Sequence, residues 1–415
     1  MASVTANNTE NLGAATLPKT ADAVVIGGGV IGASTAFQLT RHGVKNVVLL
    51  ERRQLGAGAT GKSGALVRAH YTNAPETQLT LASLPIFREW ADRVGYGDPG
   101  FEAVGFVRVV RPEDEAKLRA NVEVQRALGG ETWIVSAEEL REIEPLMRTD
   151  DLTYAAFEPG SGFADANGTV YGFAAAAAAG GARICTHTEA TAILTEGDRV
   201  SGVATSQGVI STRAVVLAAG AYADRLLRPL GVDLGLAPRR ARVVVFRWPA
   251  SVDHRRRHRV VIDSTQHSWF RPEGAASTLI GAESGVRESP DPDVCPEVIE
   301  QDYVEHARRA LAARFPAFAD ATMRGGWSGV FMQSPDDHPI IDQLPQVSGL
   351  YVMTGDSGTS FKTAPAIGIC LAEWITEGAP KLVDLTPFRA SRFAEGKPWV
   401  DENAYASEVE RTISR

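Results

Sequence analysis

The chain has 415 residues, 44% of them hydrophobic, and a formal net charge of -8. That length suffices for a large core split between two domains sharing one ligand cleft, and the negative balance argues against nucleic acid as the main partner. Three cysteines, Cys185, Cys295 and Cys370, show neither CxxC nor metal-ligand spacing, so no disulfide framework, no metal site and a reducing compartment are expected.

Residues 1–20 are polar and lack the charged and apolar regions of a secretory signal, so they read as a disordered leader. Next comes Ala23-Val24-Val25-Ile26, running into Gly27-Gly28-Gly29-Val30-Ile31-Gly32. An apolar helical stretch follows, and Val47-Val48-Leu49-Leu50 closes on Glu51. Strand, G-x-G-x-x-G turn, helix and acid-terminated strand form a βαβ unit that binds an adenine dinucleotide. Gly27 makes the tight turn, Gly29 lets the backbone approach a pyrophosphate, and Gly32 lets helix and sheet close up. The phosphates sit on the helix N-terminus, whose unpaired N–H groups favour an anion. Glu51 receives the adenosine ribose and disfavours a 2′-phosphate, which argues against NADP without separating NAD from FAD.

Small residues from Gly56 to Ala65 continue along the cofactor, because short side chains admit a close backbone approach. Helices are expected from about Pro75 to Val94 and from Glu113 to Leu128, with strand between Phe101 and Val110. A helix through the alanine run after Asp165 leads to strands at Arg183–Thr186, Glu189–Leu194 and Arg199–Thr205. Ala214 to Gly220 returns to the nucleotide-binding sheet. Strand-like runs dominate from Arg240 to Glu283, and a helix is expected around Pro296 to Phe315. The basic clusters Arg239–Arg242 and His254–Arg259 read as solvated loop faces. The chain closes with a strand from Gly349 that ends at the Gly355-Asp356 pair, the segment Ser357 to Lys362, and a helix from about Ala364 to Glu377, with Pro365 in its first turn. No apolar stretch is long enough to span a bilayer, so no membrane association and a cytoplasmic location are expected.

With the βαβ unit, the strand Val215 to Gly220, Trp269-Phe270-Arg271-Pro272, Asp337-His338-Pro339 and the closing glycine-rich turn in this order, the chain resembles the D-amino-acid-oxidase-like FAD oxidoreductases. That group includes glycine oxidase and the sarcosine oxidases, and the likeness runs from about Asp22 to Trp399. It implies an α/β fold: a Rossmann-like FAD-binding domain with an inserted antiparallel-sheet α+β substrate domain. The FAD-binding domain would comprise 21–100, 150–235 and 325–400, the substrate domain 101–149 and 236–324, and 401–415 a C-terminal tail. The implied FAD contacts are Gly27, Gly29, Val30, Ile31, Gly32, Glu51, Arg52, Thr60, Ser63, Gly64, Ala190, Gly220, Gly358, Thr359, Ser360 and Lys362.

Within the family, the sarcosine oxidase and sarcosine oxidase β-subunit-like members are most similar. Arg68 and Lys362 match the positions that clamp a substrate carboxylate there, and Lys362 is the only lysine between Lys117 and Lys381. An arginine fork and a lysine point charge would hold the carboxylate so that a C–H faces flavin N5. His338 either lies near the flavin or is a turn residue. Gly329 stands where monomeric sarcosine oxidases attach flavin through cysteine, and Gly61-Lys62 where other relatives attach it through histidine, so noncovalent FAD is implied. No lysine occurs from Ala276 to Gly281, where those enzymes place the one that promotes reaction with oxygen. Either O2 or another acceptor therefore takes the electrons. Trp269 and Glu283 would shape the amine side.

The resemblance thus implies oxidation of the C–N bond of a secondary or tertiary amine, such as an amino acid or N-methyl amino acid. A flavin-binding subunit or assembly factor of a larger complex, and a 2-hydroxy-acid dehydrogenase, are the alternatives. A partner subunit and a homo-oligomer both stay open.

Overall fold

The computed structural model describes residues 16–282 and 291–405. Most of the expected leader, residues 1–15, lies outside these, as do 283–290 and 406–415. Lys19 and Ala21, at the leader's end, exchange backbone hydrogen bonds with Ser211.

Strand β1 (Ala23–Ile26), helix α1 (Val30–Arg41) and strand β2 (Val47–Leu50) form the opening unit. Both strands are apolar throughout, as strands covered on both faces must be. Among the described residues they are central in a six-stranded sheet ordered 340–343, 350–354, 215–217, β1, β2, 183–185. All neighbours run parallel except Ile340–Gln343, which lies antiparallel on the edge. Val24 pairs with Val215, which in turn pairs with Leu350, so sequence-distant segments meet side by side.

The period-two alternation of strands splits the side chains between layers. Ala23, Val25, Val47 and Leu49 face helices including α1, Ala166–Ala179 and Ala364–Glu377. Val24, Ile26, Val48 and Leu50 face a small antiparallel sheet (190–196, 199–205, 208–211) and helix Ala223–Leu227. Helix Ala364–Glu377 lies so close to α1 that a Cβ on Gly368 would stand 2.4 Å from Ser34 Oγ.

A second sheet, of eight strands, has the order 322–333, 237–247, 277–282, 268–273, 260–263, 106–109, 154–158, 133–136. Its pairings are antiparallel except that Val260–Asp263 runs parallel to Phe106–Val109. One face packs on helix Gln301–Arg314 around Phe246, Phe270, Phe315 and Phe318.

Two readings are corrected. The helix expected from Pro296 begins at Gln301; residues before it run as irregular chain and include Asp293, Cys295 and Glu297 along the main cavity. Arg239–Arg242 is not a loop but part of the strand Ala237–Arg247, where Arg240 and Arg242 both pair with Glu300. Cross-strand packing on an apolar partner outweighs the local charge of the cluster. In the other basic cluster His258 is buried while Arg255 is solvated.

Candidate active site

At the C-terminal end of β1 the chain turns through Gly27, whose φ is 114° and where a Cβ would lie 2.3 Å from Ala218 O. A Cβ on Gly32 would lie 1.9 Å from Gly27 O, so helix and turn touch backbone to backbone. Thr60 Oγ1 accepts from the Val30 N–H, and Gly29 caps α1 without a side chain. The helix N-terminus therefore stays open to an anion. Glu51 accepts from Gly28 N at 2.8 Å and from Arg53 N at 2.7 Å, which fixes its carboxylate beside the turn.

An extended cavity of about 620 Å³ starts at this turn. Near its nucleotide end Arg52 stacks on Tyr222 at 4.1 Å, and Arg52 and Arg225 both bind Asp293. Hydrogen bonds from Arg225 and Arg52 hold the Asp293 carboxyl well below the usual range. This ionic cluster ties the segment before helix Gln301–Arg314 to the nucleotide-binding layer.

Arg68 and Lys362 line the same cavity, and both are buried. Arg68 Cζ lies 5.1 Å and Lys362 Nζ 4.3 Å from the centroid of one ring, that of Tyr71. Tyr71 Oη and Lys362 Nζ each donate to Thr359 O at 2.7 Å. The aromatic face and the shared carbonyl hold two like charges in one place. Burial pulls Arg68 below its ordinary pKa, opposed by Tyr71 and the nearby Glu158 carboxylate. Glu158 is itself pushed up by burial, while it accepts from Ser161 Oγ and from Ala69 N, next to Arg68 in the chain.

Trp269 lines the cavity from a slot cleared by two glycines. A Cβ on Gly64 would meet its ring at 2.2 Å, and one on Gly281 at 2.5 Å. Leu66 and Ile262 join it in an apolar wall. Asp356, also lining the cavity, has its carboxyl pushed up to about 6 by burial.

A family model described as FAD dependent oxidoreductase matches residues 22–374. The chain belongs to this family. Sarcosine oxidase subunit beta of Rhodobacter capsulatus is 25% identical over 93% of this chain and 91% of its own length. Glycine oxidase of Geobacillus kaustophilus is 27% identical, covering 89% and 97%. Among solved structures, L-proline dehydrogenase from P. horikoshii superposes with a TM-score of 0.85 at 25% identity, covering 92% of this chain and 100% of that one.

As a member of the FAD dependent oxidoreductase family, the protein is an oxidoreductase that uses FAD. The cavity suits that cofactor: an open helix N-terminus for the pyrophosphate, a fixed carboxylate for the ribose and a side-chain-free floor at Gly27 to Gly29. Of the cofactor residues expected from the sequence, Gly27, Gly29, Val30, Ile31, Glu51, Arg52, Thr60, Ser63, Gly64, Ala190, Gly220, Gly358, Thr359, Ser360 and Lys362 line it. Gly32 stands behind the turn, packed on Gly27.

Trp269 lines the cavity with Arg68 and Lys362, whereas Glu283 lies outside the described residues. His338 is not among the lining residues. It stacks on Trp399 at 4.2 Å and its ring nitrogens face Glu76 and Asp401. Gly329, at the position of the attaching cysteine in monomeric sarcosine oxidases, lies against the Lys62 side chain.

Sequence reasoning missed Tyr71, the ring beneath both cations, and Asp293, the centre of the ionic cluster. Tyr71 stands three residues after Arg68, in a segment whose hydrophobicity shows no period. Among the described residues no helix is long and apolar enough to cross a membrane.

Proposed function

We propose that the protein oxidises the C–N bond of an amino acid bearing a secondary amine, N-methyl or cyclic, with Arg68 and Lys362 anchoring the carboxylate. The observation that carries this reading is the pair of buried cations on the Tyr71 ring, in the same cavity that Glu51 and the turn Gly27 to Gly29 line. FAD held in this cavity would supply a two-electron acceptor for the hydride of the substrate C–H. Lys362 and the Arg68 fork fix the carboxylate and thereby the facing of that C–H. Trp269, Leu66 and Ile262 receive the alkyl part of the amine and exclude water. As the C–H bond breaks and hydride departs, the lone pair of the neutral amine forms the C=N bond of an iminium, which water hydrolyses.

The cofactor is held noncovalently in this reading, since Gly329 and Gly61-Lys62 offer neither cysteine nor histidine. The strand Ser277–Ala282 carries no lysine, which favours an acceptor other than O2. The names of two relatives, L-proline dehydrogenase and sarcosine oxidase subunit beta, support a secondary amino acid as substrate. The second name also supports work within a larger assembly. Anaerobic mixing with sarcosine, proline, glycine and 2-hydroxy acids tests the proposal. Bleaching of the flavin by the secondary amines is expected; bleaching by hydroxy acids alone overturns it. Peroxide detection in air then separates oxidase from dehydrogenase.

A further inference from the structure

Arg68 is carried by a segment without regular structure. After the two-residue strand β3 (Leu66–Val67), residues 68–73 have no strand partner, and helix Ala74–Arg88 begins only after the Asn73 cap. A backbone outside any ladder is positioned by whatever side chains bind it. Two such ties come from neighbouring elements: Glu158 accepts from Ala69 N, and Gln125 Nε2 donates to Tyr71 O at 3.0 Å.

Further ties come from residues 401–405. Thr72 Oγ1 donates to Asp401 Oδ2, and His70 meets Tyr405. Because the Gln125 amide also donates to His70 Nδ1, the ring's Nε2–H donates to Tyr405 Oη, at 2.8 Å. Tyr405 is 4% exposed, stacks on His70 at 7° between planes, and carries Arg108 over its own ring at 4.5 Å. His70 in turn lies against Phe106, the second aromatic ring beside Arg68. The terminal segment is seated by backbone carbonyls as well: Lys117 donates to Ala404 O and Asn121 to Asn403 O. Of the residues expected to form a tail, 401–405 are therefore built into the back wall of the cation pair.

We propose that Tyr405 is a positioning residue for the carboxylate site: through His70 it sets the segment that carries Arg68, so that the C-terminal end of the chain tunes the affinity for the substrate's anionic group. This rests on the reading of Arg68 and Lys362 as the carboxylate anchor. Tyr405 does not line the cavity, so its effect passes through His70 and Phe106 rather than by contact.

The test uses the full-length holoprotein with acetate as probe and acetamide as its uncharged counterpart, following perturbation of the flavin absorbance. Tyr405→Phe removes the hydroxyl and keeps the stack; an acetate Kd raised about 3- to 10-fold is expected, as for loss of one buried hydrogen bond. Tyr405→Ala is expected to raise it further, with weak acetamide binding and bound-flavin content both unchanged. Should Tyr405→Ala fail to fold, Tyr405→Phe alone decides. An acetate Kd within twofold of wild type in Tyr405→Phe overturns the positioning role, as does an equal loss for acetate and acetamide. Acetate that leaves the wild-type spectrum unperturbed overturns the anchor reading itself, and this inference with it.

Discussion

Replacing Lys362 by methionine removes a charge while keeping an unbranched side chain on the Tyr71 ring. Lys362 is 4% exposed, so a carboxylate bound beside its ammonium is poorly screened by water. At about 4 Å and an effective dielectric constant of about 20, the attraction between two unit charges is about 4 kcal/mol. Dehydrating the carboxylate offsets part of this, and a charge-assisted hydrogen bond retains about 1.5–3 kcal/mol. Lys362→Met should therefore weaken substrate binding about 10- to 150-fold. Arg68 is still present, so binding falls without vanishing. Stopped-flow flavin reduction under anaerobic conditions, across a range of sarcosine or proline concentrations, reads the change directly. A variant that reduces its flavin as fast as wild type at low substrate would refute the anchoring argument.

The turn glycines give a second expectation. Gly27→Ala and Gly32→Ala each force a Cβ to within 2.3 Å of a backbone oxygen, and FAD binding should weaken about 10- to 100-fold, read as released flavin fluorescence. Arg314 is fully buried and donates to the buried Asp263 at 2.6 Å and to both oxygens of Asp151, so Arg314→Leu strands a carboxylate in the core. Denaturant unfolding should show a loss of about 3–5 kcal/mol. His258 is buried, and burial lowers its pKa to about 4. The unfolded chain takes up a proton near pH 6.5 that the folded ring refuses. Stability is thus complete above that pH and falls by about 3 kcal/mol as pH drops toward 4. His258→Gln should flatten that part of the pH profile.

The nucleotide end was legible because backbone geometry dictates its residues. Gly27 and Gly32 have no substitute where a Cβ meets a carbonyl oxygen, and such constraints leave a readable spacing. Arg68 and Lys362 entered by resemblance and by the rarity of lysine in this stretch. The ring that joins them did not, since Tyr71 acts through a ring face and a hydroxyl aimed at Thr359 O, almost three hundred positions along the chain. His338 illustrates the converse. Its short-range context, Asp336-Asp337-His338-Pro339, pointed to a place near the flavin or in a turn; residues 335–338 do form a turn between two strands, while the partners of the ring, Glu76 and Asp401, come from two other segments. Arg239–Arg242 was misread for a similar reason: local charge suggested solvent, and pairing with strand 322–333 placed it in a sheet.

The order of strands in the parallel sheet has a bearing on biosynthesis. β1 leaves the ribosome early, yet one of its flanks waits for residues 215–217, and that strand in turn for 350–354. Thr359 to Lys362, which line the same cavity as Gly27 to Gly29, emerge more than three hundred residues after the glycine turn. The parallel sheet therefore stays incomplete until residues 350–354 have been made, and a cavity that needs Thr359 to Lys362 as part of its wall cannot close before then.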